Sequence, residues 1–462
     1  MARSLVPLAT AAAVWSLPHG DFDARTWGLL CVFAATIAGL IAQPLPAGAV
    51  VLIGITVANL LGILTVGQTL SGFGNATVWL IVAAFIFARG FVRTRLGERI
   101  AYVIIAAVGT SSLRLGYSLV LADLAMAPVT PSNTARAGGV LFPVARSIAE
   151  AFDSRPGPTA GRLGAFLMKT LYQGDLVVSA MFLTSMAANP LVAEMAFQVS
   201  GVEVAWGRWA LASLVPGAVG LAVVPYAVHR LCPPQIRDTG EARRHARERL
   251  RAMGPMTRDE KGMLSVFAIV LSLWVTAAWH GISVTTVAYL GVSALLVLGT
   301  LRWSDVVEES GAWNALMWFG GLVMLAGQLS EAGLLEAFAN RAGRLVEGLP
   351  WPMALVGLLL VYMYSHYAFA SLTAHVTAMF PAFFALAWSL GAPPLLAALS
   401  LGFFSSLNAA MTHYGTGPAP VIYGAGYLSQ GRWWRVGFLM SLLHCVVWLT
   451  IGFAWWKVIG LW

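Results

Sequence analysis

The sequence APVTPSNTARAGG, residues 127–139, interrupts a chain that is otherwise strongly apolar. Its two prolines end any helix that precedes them, and Ser132, Asn133 or Thr134 can cap the helix that follows. The first N–H groups of such a helix carry partial positive charge and can bind an anion without a basic side chain. At membrane depth, non-helical backbone is tolerated only where it is buried or lines a cavity. The stretch therefore predicts a buried anion-binding segment.

The composition indicates a membrane protein. The chain has 462 residues, of which 58% are hydrophobic and 10% are charged, and its mean hydropathy is +0.76. So few charged side chains cannot cover the apolar surface of a soluble protein. The apolar segments, several of which reach the roughly 20 residues needed to cross a bilayer, are 27–42, 48–66, 75–88, 261–279, 353–363 and 435–459. We therefore predict an all-α polytopic membrane protein, with residues 1–18 as a short first span rather than a cleaved signal peptide.

The positive charges predict which loops face the cytoplasm. The net charge is +8, and the basic residues gather in loops between the apolar segments, as the positive-inside rule expects of cytoplasmic loops. The two main clusters are Arg89–Arg99 and the polar segment 229–260. Residues 241–254 predict a helix on the cytoplasmic surface, whose charge is better explained by topology than by binding of lipid or nucleic acid. Because no transit-peptide pattern precedes the first span, we expect the bacterial inner membrane.

Two short motifs occur twice, each time 239 residues apart. The motif Asn-Ala-x-x-Trp begins at Asn75 and again at Asn314, and the motif Ser-x-Thr-Ala begins at Ser132 and again at Ser371. Two independent matches at one offset indicate an internal repeat.

The repeat divides the chain into two halves. We assign residues 1–228 to the first repeat, 229–260 to a basic cytoplasmic connector and 261–462 to the second repeat. We predict that the polar stretches form re-entrant hairpins, at about 111–147 and 364–388, which enter the membrane and return to the same side. If the N-terminus is inside, both basic clusters then lie inside, because the first hairpin does not change the count of spans between them. Inverted repeats with broken helices at the midplane are typical of secondary transporters. The sequence therefore predicts such a transporter.

A second polar interruption follows each hairpin. The segments SMAANPL, residues 185–191, and THYGTGPAP, residues 412–420, break apolar stretches with small residues and proline. With the hairpin tips, they form the predicted binding site. The second tip keeps Ser371 and Thr373 but has Leu372 in place of an amide.

Two basic residues occupy corresponding positions of the repeat, Arg136 and His375. In one interpretation Arg136 snorkels to the interface and His375 is a hydrogen-bonded core residue. In the other, both supply positive potential to an anion site, since basic residues inside a membrane are costly unless they are used. Asp175 is a rare acid in an apolar segment, and its role is open between a proton relay and an ion pair with Lys169.

Enzymatic and metal sites are not indicated. His366, His375 and His413 lack Cys, Asp or Glu at ligand spacing, and the three cysteines form no CxxC motif. Neither a G-x-S-x-G motif nor a P-loop is present. A membrane-embedded enzyme is the remote alternative, and we expect no cofactor.

Three segments together resemble a known transporter family. SNTARAGG (132–139), MYSHYAFASLTAHVTAMFPAF (363–383) and MTHYGTGPAPVIYGAGY (411–427) resemble the divalent anion/sodium symporters, or dicarboxylate transporters. They look most like the branch of 2-oxoglutarate/malate translocators and citrate–succinate or tartrate–succinate exchangers. The resemblance extends over nearly the whole chain.

The resemblance implies a scaffold domain that forms a homodimer and a transport domain that moves like an elevator. It also implies that the hairpin tips and the broken-helix loops hold the substrate. With Arg136 and His375 added, the predicted substrate-binding residues are Ser132, Asn133, Thr134, Arg136, Asn189, Ser371, Thr373, His375, Thr416, Gly417 and Pro418.

The departures from the family pattern predict the mode of coupling. Leu372, Arg136 and His375 argue against two intact Na⁺ sites, and a carrier with fixed positive charge would reorient reluctantly when empty. We therefore predict a sodium-independent exchanger of di- or tricarboxylates such as 2-oxoglutarate, malate, succinate, tartrate or citrate. Its expected partners are the substrate, membrane lipid and a second copy of the chain. The alternative is a Na⁺-coupled symporter of the same substrates, in which Ser132 and Asn133 bind Na⁺.

Overall fold

The structure is a computed structural model that describes residues 2–20, 22–343 and 348–462. Within these ranges the chain folds into helices without a β-strand, and the prediction of an all-α membrane fold is confirmed. Six of the described helices are long and apolar enough to cross a membrane, or seven if the bent pair Ser310–Glu331 and Leu334–Arg341 is one span.

The first half of the chain contains eleven α-helices among its described residues. They are α1 (Ala2–Trp15), α2 (Ala24–Ala42), α3 (Ala47–Leu60), α4 (Val66–Leu70), α5 (Ala76–Thr94), α6 (Leu96–Val108), α7 (Ser112–Met126), α8 (Phe142–Ala151), α9 (Gly164–Met181), α10 (Ala188–Ser200) and α11 (Trp206–Leu231). All 18 residues of α9 are buried, so this helix lies at the centre of the molecule.

The predicted connector contains α12 (Gly240–Met253), which packs on α6. The second half follows with α13 (Arg258–Val275), α14 (Ala277–His280), α15 (Val284–Val297), α16 (Trp303–Glu308), α17 (Ser310–Glu331), α18 (Leu334–Gly343), α19 (Trp351–Ser365), α20 (Leu372–Ser389), α21 (Pro394–Leu407), α22 (Pro418–Gly424), α23 (Gln430–Val446) and α24 (Phe453–Val458). A π-helical turn, Val447–Gly452, joins α23 and α24 into one long apolar helix.

The order of helices in the first half recurs in the second. In each half a long helix (α5, α17) and a short one (α6, α18) precede a helical hairpin (α7–α8, α19–α20), a broken helix (α9–α10, α21–α22) and another long helix (α11, α23). Helices of the two halves also pack on each other: α3 of the first half packs on α17 of the second, and α15 of the second half packs on α5 of the first. The two halves are therefore interleaved and share one core.

The second hairpin begins earlier than its predicted start at residue 364. Its first arm is α19, Trp351–Ser365, and its second arm is α20. The apolar segment 353–363 lies in this first arm, which is too short to cross the bilayer, because a helix of 15 residues is only about 22 Å long and the hydrocarbon core is about 30 Å thick. The composition hid this difference, since an apolar arm packed within a bundle has the same hydropathy as a span.

The packing of Gly72 on α17 gives a test of the interleaved core. A methyl group on Gly72 would overlap with the backbone carbonyl oxygen of Gly320. We expect Gly72→Ala to lower the free energy of unfolding by about 1–3 kcal/mol, measured as a lower melting temperature in detergent. Gly74→Ala is the matched control, because a methyl group there meets no atom within 4 Å. Equal melting temperatures of the two variants would contradict this packing.

Candidate functional site

The first hairpin tip is built by the prolines and Ser132. Helix α7 ends at Met126, a 3-10 turn follows at Ala127–Val129, and the next helical segment begins at Thr134. The Ser132 hydroxyl accepts a hydrogen bond from the Ala135 N–H (3.1 Å), which caps the new helix. Residues 134–141 form a π-helix, a conformation that is frequent at functional sites.

This tip contacts the broken-helix loop of the other half. The side-chain amide of Asn133 donates a hydrogen bond to the Thr416 hydroxyl (2.9 Å). Thr134 packs so closely on Gly417 that a methyl group on this glycine would overlap with the threonine hydroxyl. The next residue, Pro418, begins α22. The structure thus brings together five of the predicted substrate-binding residues.

The second hairpin tip reaches the same loop. Ser371 caps α20 by accepting a hydrogen bond from the Ala374 N–H (3.4 Å). His366, just before this tip, donates a hydrogen bond from Nε2 to the Gly415 carbonyl (2.9 Å). The adjacent residues Gly415 and Thr416 therefore receive one contact from each hairpin.

Ser371 and Thr373 line a cavity of about 550 Å³, a volume typical of small-molecule sites. The cavity lies between the second tip, α17 and the turn from α2 to α3. Gln43, in this turn, is the third polar side chain of its lining, and sequence reasoning missed it. The N-terminal ends of α3 and α20 both border the cavity, so two helix dipoles direct partial positive charge toward it.

The Arg136 side chain is fully buried between two carboxylates. It forms ion pairs with Asp123 and with Asp175, the latter at 2.9 Å, and all three side chains have zero exposure. Both interpretations of Arg136 from the sequence are therefore wrong. It does not snorkel, and its charge is compensated by acids, so it supplies no net positive potential to a substrate. Asp123, like Asp175, is an acid within an apolar helix, and this signal could have identified it.

The remaining donors of Arg136 bind the first tip and the first broken-helix loop. One guanidinium nitrogen donates to the backbone carbonyls of Thr130 and Ser185, each at 2.9 Å. Another donates to the Ser179 hydroxyl at 2.8 Å. Because a guanidinium has five N–H groups, and contacts with protein use all of them, none remains for a substrate. The prediction of Arg136 as a substrate ligand is corrected to a residue that joins the tip to the loop.

The proposed pair between Lys169 and Asp175 is absent from the described residues. The Lys169 ammonium instead lies 3.9 Å from the centre of the Trp433 ring and 5.1 Å from that of Tyr172. The two residues are six positions apart on α9 and lie on different faces of the helix.

His375 is a buried, hydrogen-bonded residue, as one of the two interpretations expected. Its Nε2 contacts the Ser365 hydroxyl (2.9 Å), and its Nδ1 accepts a hydrogen bond from the Asn408 amide (3.1 Å). Both ring nitrogens are used, so His375 is corrected from a substrate ligand to a link between the second hairpin and its broken helix.

Asn189 closes the first broken-helix loop from within. Its amide nitrogen donates to the backbone carbonyls of Ser179 and Phe182, each at 2.8 Å, and its side chain is fully buried. The structure therefore places Asn189 as a support of the loop, which corrects its prediction as a substrate-binding residue.

The close approach of Thr134 and Gly417 can be tested by substitution. We expect Gly417→Ala to separate the first tip from the loop and to weaken substrate binding by about tenfold or more, measured by the shift in melting temperature with added dicarboxylate. Gly424→Ala, seven residues later with open space around its Cα, should bind normally. Normal binding by Gly417→Ala would contradict the assignment of this contact to the site.

Comparison with known proteins identifies the family. The family model described as the sodium:sulfate symporter transmembrane region matches residues 1–462. The proposed malate transporter YflS of Bacillus subtilis (strain 168) is 48% identical over 460 residues, which are 99% of this chain and 96% of that protein. The chloroplastic dicarboxylate transporter 1 of Spinacia oleracea is 45% identical, over 99% of this chain and 81% of that protein. The inner membrane protein YbhI of Escherichia coli (strain K12) is 37% identical, over 94% of this chain and 93% of that protein.

Two solved structures share the fold. MtrF of Neisseria gonorrhoeae superposes with a TM-score of 0.59 at 14% identity, over 96% of both chains. YdaH of Alcanivorax borkumensis superposes with a TM-score of 0.57 at 14% identity, over 95% of this chain and 99% of that chain. The resemblance of the sequence to the divalent anion/sodium symporters is thereby confirmed by the relatives. The chain belongs to the sodium:sulfate symporter transmembrane-region family, and it is a multi-pass membrane transporter rather than an enzyme.

Proposed function

We propose that the chain exchanges di- or tricarboxylates such as 2-oxoglutarate, malate, succinate, tartrate or citrate across the membrane without sodium. Relatives that are 48% and 45% identical are named as malate and dicarboxylate transporters, which supports the substrate class. The observation that supports transport without sodium is the position of the Arg136 guanidinium, which joins the first hairpin tip to the first broken-helix loop.

Neutral donors and helix ends are suited to bind the carboxylates. The tip residues Ser132, Asn133 and Thr134 in one half, and Ser371 and Thr373 in the other, are polar and uncharged. Each tip precedes a helix whose first N–H groups have no partner within that helix. Two such ends, one per half, match the two carboxylates of a dicarboxylate.

The Arg136 contacts support independence from sodium. In a symporter, a Na⁺ ion would be coordinated by backbone carbonyl and hydroxyl oxygens of a tip and a loop. Here the guanidinium donates a hydrogen bond to each of the Thr130 and Ser185 carbonyls and to the Ser179 hydroxyl, so a fixed cation already contacts these oxygens. In the other half, His375 links the Ser365 hydroxyl to the amide nitrogen of Asn408.

The reason for obligatory exchange differs from the one that the sequence suggested. Arg136 is balanced by two carboxylates, so an uncompensated charge at this residue does not hold back the empty carrier. The empty site would instead leave helix N–H groups and tip hydroxyls without partners during the transition. Unpaired polar groups are costly in a low-dielectric path, and a bound carboxylate removes this cost.

The proposal includes the architecture that the family resemblance implies. The hairpins and broken helices form a transport domain that moves like an elevator against a scaffold, and two copies of the chain form a homodimer in the lipid bilayer. The inner membrane of a bacterium is the proposed location, which the name of the Escherichia coli relative supports.

Sodium symport is the alternative, with Ser132 and Asn133 as ligands. Both side chains already make hydrogen bonds within the protein, the Ser132 hydroxyl to Ala135 and the Asn133 amide to Thr416. A Na⁺ ion would have to share the Ser132 oxygen with the Ala135 N–H, and the hydrogen bond of its amide nitrogen to Thr416 already holds the Asn133 side chain in place. This observation favours exchange.

Proteoliposomes distinguish the two modes of coupling. We expect uptake of labelled malate or 2-oxoglutarate only into vesicles preloaded with a dicarboxylate, at equal rates in Na⁺ and in choline buffer. A monocarboxylate inside should not support uptake. Steep Na⁺ dependence of uptake into empty vesicles would contradict exchange and favour symport.

The bridging role of Arg136 is tested by Arg136→Lys. Lysine keeps the charge but lacks the planar fork that reaches several partners at once, so we expect exchange to fall at least tenfold. Arg146→Lys is the control, because Arg146 lies on the same hairpin in an exposed pair with Glu150. Normal exchange by Arg136→Lys would show that charge alone suffices and that the bridge is not required.

A further inference from the structure

The charges around Arg136 do not balance if both acids are ionised. One guanidinium faces two carboxylates, and each of the three side chains has zero exposure. A full negative charge would then remain in a region that excludes water. Buried charges of this kind are very costly unless they are paired.

Each carboxylate also has one oxygen without a partner. Asp123 and Asp175 each use Oδ1 to contact Arg136, whereas their Oδ2 atoms are buried and receive no hydrogen bond from the residues that the structure describes. Because Arg136 holds both acids on one guanidinium, the two carboxyl groups are neighbours. A single proton on one Oδ2 would remove the excess charge and provide the missing donor.

Among the described residues, no cation other than Arg136 forms an ion pair with the two acids. On α9, Lys169 is six residues before Asp175, about 9 Å along the helix, and lies against the Trp433 and Tyr172 rings. The Tyr172 hydroxyl donates to the Ala409 carbonyl (2.6 Å).

The other titratable groups on the packed helices lie elsewhere. His444 of α23 contacts Gln173, and His229 of α11 contacts Phe166 and Ser112. The remaining ones on α6, α7, α8, α11, α22 and α23 are Glu98, Arg99, Tyr102, Arg114, Tyr117, Arg146, Glu150, Arg208, Tyr226, Arg230, Tyr423, Arg432, Arg435 and Cys445. Within the described part of the chain, Arg136 is the only partner that forms an ion pair with either acid.

We propose that Asp123 and Asp175 together bind one proton, which makes the cluster with Arg136 neutral. The proton belongs to the pair, since two such close acids titrate as a unit. Its role is to let the first hairpin keep its Arg136 bridge to Thr130 and Ser185 without moving net charge through the membrane. The cluster is thus a proton-binding site beside the proposed carboxylate site and separate from it.

Infrared spectroscopy and thermal melting test the proton without any transport assay. At neutral pH we expect the wild-type protein to show the C=O band of a protonated buried carboxyl. Asp123→Asn and Asp175→Asn should each lose this band and melt within a few degrees of wild type, because the amide imitates the protonated acid. The double variant should melt far lower, since it leaves Arg136 buried without a counter-charge.

Asp305→Asn is the control for loss of an ordinary ion pair. Asp305 pairs one-to-one with Arg93 at 2.6 Å in a partly exposed position, so its substitution should leave the carboxyl band unchanged. Absence of the band in wild type would overturn the proposal. So would persistence of the band in both single variants, because the band would then come from another carboxyl group.

A transport assay extends the test and rests on the proposed function. Loss of the proton at alkaline pH would add a negative charge near the site of an anion, so wild-type exchange should fall as the pH rises. Carboxyl groups ordinarily titrate near pH 4, so the substrate keeps its charge in this range. Each single Asn variant should retain exchange to higher pH, and a profile identical to wild type would overturn the link to transport. If wild type transports no dicarboxylate at any pH, the proposed function fails, while the infrared result still decides the proton.

Discussion

The guanidinium of Arg136 is the interaction on which the arrangement of the site depends. It binds two acids on two helices, the carbonyl of the first tip and the carbonyl of the first broken-helix loop. A helix that stops inside a membrane leaves backbone groups that must find partners within the protein. One residue supplies partners to both interruptions of the first half, and so positions the tip and the loop relative to each other.

In the second half, histidine side chains rather than an arginine connect the hairpin to the broken helix. His375 joins its hairpin to Asn408, and His366 bonds to the carbonyl of Gly415. The loop at Gly415–Thr416 is also the place where the two halves meet, because Asn133 of the first tip donates to Thr416. Both hairpins therefore contact one short segment, and a change at either tip can reach the other through it.

The predictions from sequence succeeded where local rules govern the chain. The prolines and Ser132 produced the helix break and the cap, and the polar stretches at 185–191 and 412–420 overlap the interruptions between α9 and α10 and between α21 and α22. The predictions were wrong where partners come from distant parts of the chain. Asp123 and Asp175 lie 13 and 39 residues from Arg136, and nothing in their spacing shows that they pair with it.

The sequence by itself determined the membrane class, the repeat of two motifs and the residues of the hairpin tips. These properties follow from composition, periodicity and turn chemistry, which act over a few residues. Only the tertiary structure decided whether Arg136 and His375 face a substrate or the protein. This depends on which side chains the interleaved halves bring into contact, and a buried cation can serve either purpose until its counter-charges are known.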